Sequence, residues 1–254
     1  MADTKFIAGN WKMNGMQNDG MQRITQIVSY MDENKAALKD KATVLICPPA
    51  TLLTSLYAET KSSAIFLGAQ DCHPETSGAF TGDISAEMLK ECGSTYVIVG
   101  HSERRHGHQE TSAMVAKKAE AVHRAGMSSI ICVGETAEQR ASGDAEKVIQ
   151  EQIVQSMPQD TVYADNTLIA YEPVWAIGSG QTATQQDIED MHNFIRNLLR
   201  EKYPSLAETH ILYGGSVKGS NAKQILNYEN VDGVLVGGAS LKAPDFCQII
   251  EGAA

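Results

Sequence analysis

The sequence predicts a closed barrel of eight parallel β-strands alternating with helices, an α/β fold in a single domain over residues 1–254. Three observations predict it. Short apolar runs recur eight times along the chain, each ending in a glycine or a polar cluster. These runs are continuous rather than alternating, as strands buried on both faces should be. Most gaps between them carry amphipathic helical patterns, which implies parallel strands joined by crossover connections. The length of 254 residues, 43% of them hydrophobic, suits one barrel with a real core. An open doubly wound sheet is the alternative. It would more often carry G-x-G-x-x-G after its first strand, and that motif is absent there.

In chain order the runs are Phe6 to Gly9, Val44 to Cys47, Ile65 to Gly68, Tyr96 to Gly100, Ile130 to Gly134, Leu168 to Tyr171, Ile211 to Tyr213 and Val234 to Gly237. After the first, Ile24, Ile27, Val28 and Met31 follow the i, i+3, i+4, i+7 template of a helix. After the sixth, Ile188, Met191, Ile195, Leu198 and Leu199 mark a longer helix. It opens with a capping box at Thr184-Gln185-Gln186-Asp187 and should end before Pro204. Pro244 suits the first turn of a last helix.

Barrels of this kind build their sites where strands end and loops begin, so the polar residues after each run are the candidates. Asn10 and Lys12 follow the first run two residues apart, which lets both point the same way from an extended segment. His101 ends the fourth run. If Ser102 or Glu103 starts a helical turn, the ring faces free backbone N–H groups that disfavour imidazolium. His106 and His108 read as surface residues, and the cluster lacks the carboxylate and spacing of a zinc site, so no metal is expected. Glu172 ends the sixth run, where Pro173 forces it to be extended. The segment Pro173, Val174, Trp175, Ala176, Ile177, Gly178, Ser179 and Gly180 mixes apolar residues with two glycines, the composition of a lid that folds over a ligand. Gly214-Gly215-Ser216 and Gly237-Gly238 follow the seventh and eighth runs, where barrels often hold phosphate.

Composition narrows the partners. A formal charge of -10 with no basic stripe argues against nucleic acid and anionic membranes. An anionic substrate would need a locally positive pocket, which Lys12 could supply. Five cysteines without a C-x-x-C pair argue against a disulfide framework and suit a reducing, cytoplasmic setting. Met1 to Lys5 lacks the apolar core of a signal peptide, and no apolar stretch is long enough for a membrane span.

These segments, with Gly78-Ala79-Phe80-Thr81-Gly82 and Cys132-Val133-Gly134-Glu135, resemble the triosephosphate isomerase family over nearly the whole chain. The resemblance implies interconversion of dihydroxyacetone phosphate and D-glyceraldehyde 3-phosphate through an enediolate, in glycolysis and gluconeogenesis, with no cofactor. It implies Glu172 as the base, His101 as a neutral electrophile, Lys12 as the substrate-holding cation and Asn10 as its hydrogen-bonding neighbour. Phosphate would rest on backbone N–H groups of Gly178, Ser216, Gly237 and Gly238. Glu103 and Ser102 would support the site, Cys132 would pack near the base, and Thr81 would cross a homodimer interface. Ser179, Gln181 and Asp71 depart from the residues most frequent in the family, which bears on lid motion and the interface. The competing readings are another phosphate-binding barrel enzyme, such as an aldolase or sugar-phosphate epimerase, and a non-catalytic phosphate-ligand binder.

Overall fold

The structure, a computed structural model, describes residues 4–158, 165–176 and 183–254. Eight strands close into a barrel in chain order, each pairing in parallel with its neighbours and the last with the first. They are β1 (Lys5–Asn10), β2 (Ala42–Cys47), β3 (Ile65–Ala69), β4 (Ser94–Val99), β5 (Ser128–Val133), β6 (Thr167–Tyr171), β7 (Ile211–Tyr213) and β8 (Gly233–Val236). Each falls on one of the eight apolar runs. The helices around them are α1 (Gln17–Glu33), α2 (Lys35–Leu38), α3 (Leu53–Thr60), α4 (Ala86–Glu91), α5 (Ser102–Gly107), α6 (Ser112–Arg124), α7 (Ala137–Ala141), α8 (Ala145–Ser156), α9 (Gln185–Lys202), α10 (Gly219–Leu226) and α11 (Ala243–Glu251).

The runs are continuous because the strands feed two cores. Alternate side chains point to opposite faces of a strand. Ala8, Leu45, Cys47, Ile98, Ile130, Cys132, Ala170, Leu212 and Leu235 fill the barrel interior. Their neighbours Ile7, Val44, Ile46, Val97, Val99, Ile131 and Ile169 pack outward against the helices. Fully burying one such branched side chain contributes about 1.5–3 kcal/mol. The helical stripes meet the outer core, with Ile24, Ile27 and Met31 buried on α1, and Ile188, Met191, Ile195, Leu198 and Leu199 on α9. The capping box at Thr184 forms, with Thr184 N–H donating to Asp187 and Asp187 N–H donating to Thr184 Oγ1. α9 stops at Lys202, two residues ahead of Pro204, and Pro244 lies in the first turn of α11. Among the described residues no helix is long and apolar enough to cross a membrane.

All strands run the same way, so all eight exits lie at one end. That end collects Asn10, His101, Glu172 and the two glycine pairs.

Candidate active site

Asn10, Lys12, His101, Glu172, Ser216, Gly237 and Gly238 line one cavity of about 500 Å³ at that end. Of the predicted substrate-contacting residues only Gly178 lies outside the described residues, as do Ile177, Ser179, Gly180 and Gln181.

Asn10 is the last residue of β1 and is buried. The expectation that Lys12 continues an extended segment is corrected by the structure. Lys12 has φ of 52°, in the left-handed region that side chains other than glycine seldom adopt. Two contacts hold this turn. Asn10 Oδ1 accepts the Lys12 N–H at 3.0 Å, and Gln70 Nε2 donates to the Lys12 carbonyl at 2.9 Å. Lys12 still reaches the cavity, because the turn swings its side chain over the exit of β8. A Cβ added to Gly237 would lie 3.9 Å from Lys12 Nζ. Glu103, in the first turn of α5, accepts from Lys12 Nζ at 2.5 Å. The Glu103 side chain is largely exposed, so this pair orients the lysine more than it stabilises the fold.

His101 caps α5 with its ring. The Glu103 N–H donates to Nδ1 at 3.1 Å, and Nε2 lies 2.8 Å from Glu172 Oε1. Burial disfavours the imidazolium, while the adjacent Glu172 carboxylate favours it and outweighs burial. The backbone donor on Nδ1 acts against that pull, because a protonated Nδ1 would face another N–H. The contacts fit a ring that accepts the Glu103 N–H at Nδ1 and donates Nε2–H to Glu172.

Glu172 is 2% exposed. Its N–H donates to Val133 O at 2.8 Å, which docks the exit of β6 on that of β5. Its Oε2 accepts the Ser102 N–H at 2.9 Å, so both carboxylate oxygens are engaged. Burial pushes its pKa up, but His101, the Ser102 N–H and Lys12 outweigh burial and hold it below the ordinary carboxylate value. Cys132 is fully buried in the barrel interior near this carboxylate, and burial raises its thiol pKa well above the usual value. It is therefore a packed thiol, not a nucleophile.

Past Glu172 the described part of the predicted lid is a short turn, Val174–Ala176, with Ala176 buried. Trp175 Nε1 donates to Glu135 Oε1 at 2.7 Å, and the Tyr171 hydroxyl donates to the same oxygen at 3.1 Å. Arg140 also reaches Glu135 and stacks over the Trp175 ring at 4.6 Å. Glu135 is 0% exposed and anchors the start of this segment. Sequence reading placed it in a family motif but gave it no role. Its one local signal is a charged residue two positions beyond a strand that is buried from its second residue on. Lys218, Lys242 and Asp245 also line the cavity and were not singled out. Thr81 is exposed in the loop between β3 and α4 and does not line this cavity.

A conserved-family sequence model described as triosephosphate isomerase matches residues 5–253. The triosephosphate isomerase of Bradyrhizobium diazoefficiens is 49% identical over 248 residues, covering 97% of this chain and 96% of that protein. The Rhizobium meliloti triosephosphate isomerase is 49% identical over 245 residues, 96% of this chain and 94% of that one. The crystal structure of the Bartonella henselae enzyme superposes with a TM-score of 0.89 at 44% identity, covering 98% of each chain. The aldolase, epimerase and non-catalytic readings gain no support from these matches. The chain belongs to the triosephosphate isomerase family, the isomerases that interconvert dihydroxyacetone phosphate and D-glyceraldehyde 3-phosphate through an enediolate.

Proposed function

We propose that Glu172 is the base that moves the proton between the two carbons, with His101, Lys12 and Asn10 completing the catalytic set. The observation that carries this reading is the pairing of Glu172 and His101. The two side chains lie 2.8 Å apart, both almost free of solvent, on the wall of the cavity that Lys12 enters. Removal of a proton next to a carbonyl needs a base on carbon and a donor on oxygen. Glu172 supplies the first. The His101 Nε2–H supplies the second once the substrate oxygen takes the place of the carboxylate, and the Lys12 ammonium stabilises the enediolate charge. Asn10 holds the Lys12 backbone.

The phosphate rests on backbone N–H groups of Gly178, Ser216, Gly237 and Gly238, with Ser102 and Glu103 fixing the base and the lysine. The lid from Pro173 to Gly180 closes over the substrate, excludes water and keeps the enediolate from shedding phosphate. No cofactor takes part. The whole chain, 1–254, acts as one domain.

Conversion of dihydroxyacetone phosphate in deuterium oxide tests the proton route. A carboxylate that has taken the carbon-bound proton can exchange it with solvent, so the glyceraldehyde 3-phosphate formed is expected to carry deuterium on carbon 2. Product with no carbon-bound deuterium, together with near-normal turnover of Glu172→Gln, would mean an internal hydride shift and would remove Glu172 from its role.

The working unit is a homodimer in the cytoplasm, serving glycolysis and gluconeogenesis. The surface supports the dimer. Met13 is 95% exposed and Met16 is 76% exposed, and Phe80, Ile84 and Met88 are also exposed large apolar groups. A groove of about 910 Å³ lined by Met13, Gly82, Ile84 and Met114 runs into the site at Asn10, Lys12 and His101. A second copy's loop bearing Thr81 would fill it. Sedimentation equilibrium is expected to give twice the chain mass, and Met13→Asp to shift it towards the monomer with loss of activity. A wild-type monomer with full activity would rule the dimer out.

A further inference from the structure

The backbone ladder between β4 and β5 stops before it reaches the catalytic level. Its last pair is Val99 with Ile131, whereas β5 and β6 stay paired up to Val133 and Tyr171. Yet β4 leads into His101, and β5 supports Glu172 through the Val133 carbonyl. One side chain bridges the two exits past that point. Arg105, on α5, donates from Nε to the Gly100 carbonyl at 2.8 Å and from Nη2 to the Cys132 carbonyl at 3.0 Å. The same guanidinium donates to Ser112 Oγ and to Ser156 Oγ, both at 3.0 Å, so the start of α6 and the end of α8 hold it. Gly100 has φ of 68°, and a Cβ there would meet Nη2 at 2.9 Å, so the fork rests on bare backbone.

We propose that Arg105 is a positioning residue for the proton-transfer pair: its fork sets the spacing of His101 and Glu172 by clamping the strand exits that hold them. The inference rests on the roles proposed above for those two side chains. Arg105 does not line the cavity that holds Lys12. It lines a smaller cavity of about 280 Å³ that shares Glu172 as a wall. It therefore acts through backbone and not on substrate. The clamp needs a planar group with donors on two edges, which a lysine ammonium lacks although it keeps the charge.

Arg105→Lys tests this. The expected result is a kcat roughly 10- to 100-fold lower with KM nearly unchanged, because misplacement of the pair by an ångström or less is enough to cost that much. Affinity for an enediolate-mimicking hydroxamate should fall in parallel with kcat/KM. A purely structural role would lower Tm and leave kcat and hydroxamate affinity of the folded enzyme unchanged, and that result overturns the proposal. Should Arg105→Lys not fold, Ser112→Ala with Ser156→Ala keeps the guanidinium but releases its anchors. A several-fold lower kcat in the double variant supports the clamp, and an unchanged kcat overturns it. Glu172→Gln in the same assay keeps the two readings apart. Near-normal turnover there would sink the base assignment and this inference with it. Collapse there alongside normal Arg105→Lys turnover sinks this inference alone.

Discussion

Glu172→Gln is expected to lower kcat by at least about 10²- to 10⁴-fold while moving KM little. The amide matches the carboxylate in shape and stays buried, so packing is kept. What is lost is the ability to take a proton from carbon. Both oxygens of Glu172 accept hydrogen bonds, from His101 Nε2 at 2.8 Å and from the Ser102 N–H at 2.9 Å. An amide can satisfy only one of these donors and turns its own NH₂ towards the other, so a modest loss of Tm should accompany the loss of rate. The same contacts set a pH dependence. They hold the Glu172 pKa in the free enzyme below the ordinary carboxylate value. The base is therefore ionised above that value, and kcat/KM, once corrected for the substrate phosphate's own titration near pH ~6, should fall only as pH drops through it. Taking a proton from carbon requires the carboxylate to give up one of its donors. Its pKa in the substrate complex then rises, and the acid limb of kcat should lie at higher pH than that of kcat/KM. Initial rates from pH 4 to 9 with substrate below and above KM check both statements. Coincident limbs would mean that the carboxylate keeps both hydrogen bonds during turnover.

The barrel is legible in the sequence because each strand serves two cores. Ala8 and Ile7, or Cys47 and Ile46, are neighbours that face opposite ways and are both fully buried, so the run reads as apolar throughout. The start of α9 is legible for a local reason: Thr184 and Asp187 satisfy each other's backbone within one turn. His101 is legible in the same way, since the donor that fixes its ring is only two residues away, at Glu103. Lys12 lines the cavity, but from a left-handed turn and not an extended segment. That turn is held by Asn10 within two residues and by Gln70, 58 residues distant, and short-range spacing carries no trace of the second contact. Glu135 and Arg105 stayed hidden for the same cause. Arg105 finds its acceptors 5, 7, 27 and 51 residues away. Glu135 collects donors from Arg140, Tyr171 and Trp175, which only the closed barrel brings together. The residues proposed to touch substrate sit at strand ends and can be found by position. Residues that aim them are recognised only by their partners.

Gly134→Ala is expected to cost about 100-fold in kcat and to lower Tm, although no side chain at this position faces the substrate cavity. A Cβ on Gly134 would lie 1.9 Å from the Glu172 carbonyl oxygen and 2.9 Å from its carbonyl carbon. Ordinary carbon–oxygen contact begins near ~3.3 Å, so one of the two backbones must move by more than an ångström. Gly134 cannot be the one that yields easily. The Gln152 side chain grips it from α8, accepting its N–H at 2.8 Å and donating to its carbonyl at 3.0 Å. Glu172 is held as well, by its N–H to Val133 O and through its carboxylate by His101 and Ser102, so any shift of its backbone pulls on those contacts. Strain at this contact therefore reaches the carboxylate. Overpacking of this kind costs roughly 1–3 kcal/mol of stability, and an ångström of misplacement at a reacting group costs about 10² in rate. Gly107→Ala is the control, because its Cβ would meet nothing within 4 Å, and it should leave kcat unchanged. Steady-state kinetics and thermal unfolding of the two variants side by side decide the matter. A Gly134→Ala enzyme with wild-type kcat would show that Glu172 keeps its aim without this contact. A loss of Tm alone would make Gly134 a packing requirement and leave the base to be positioned by His101 and Ser102.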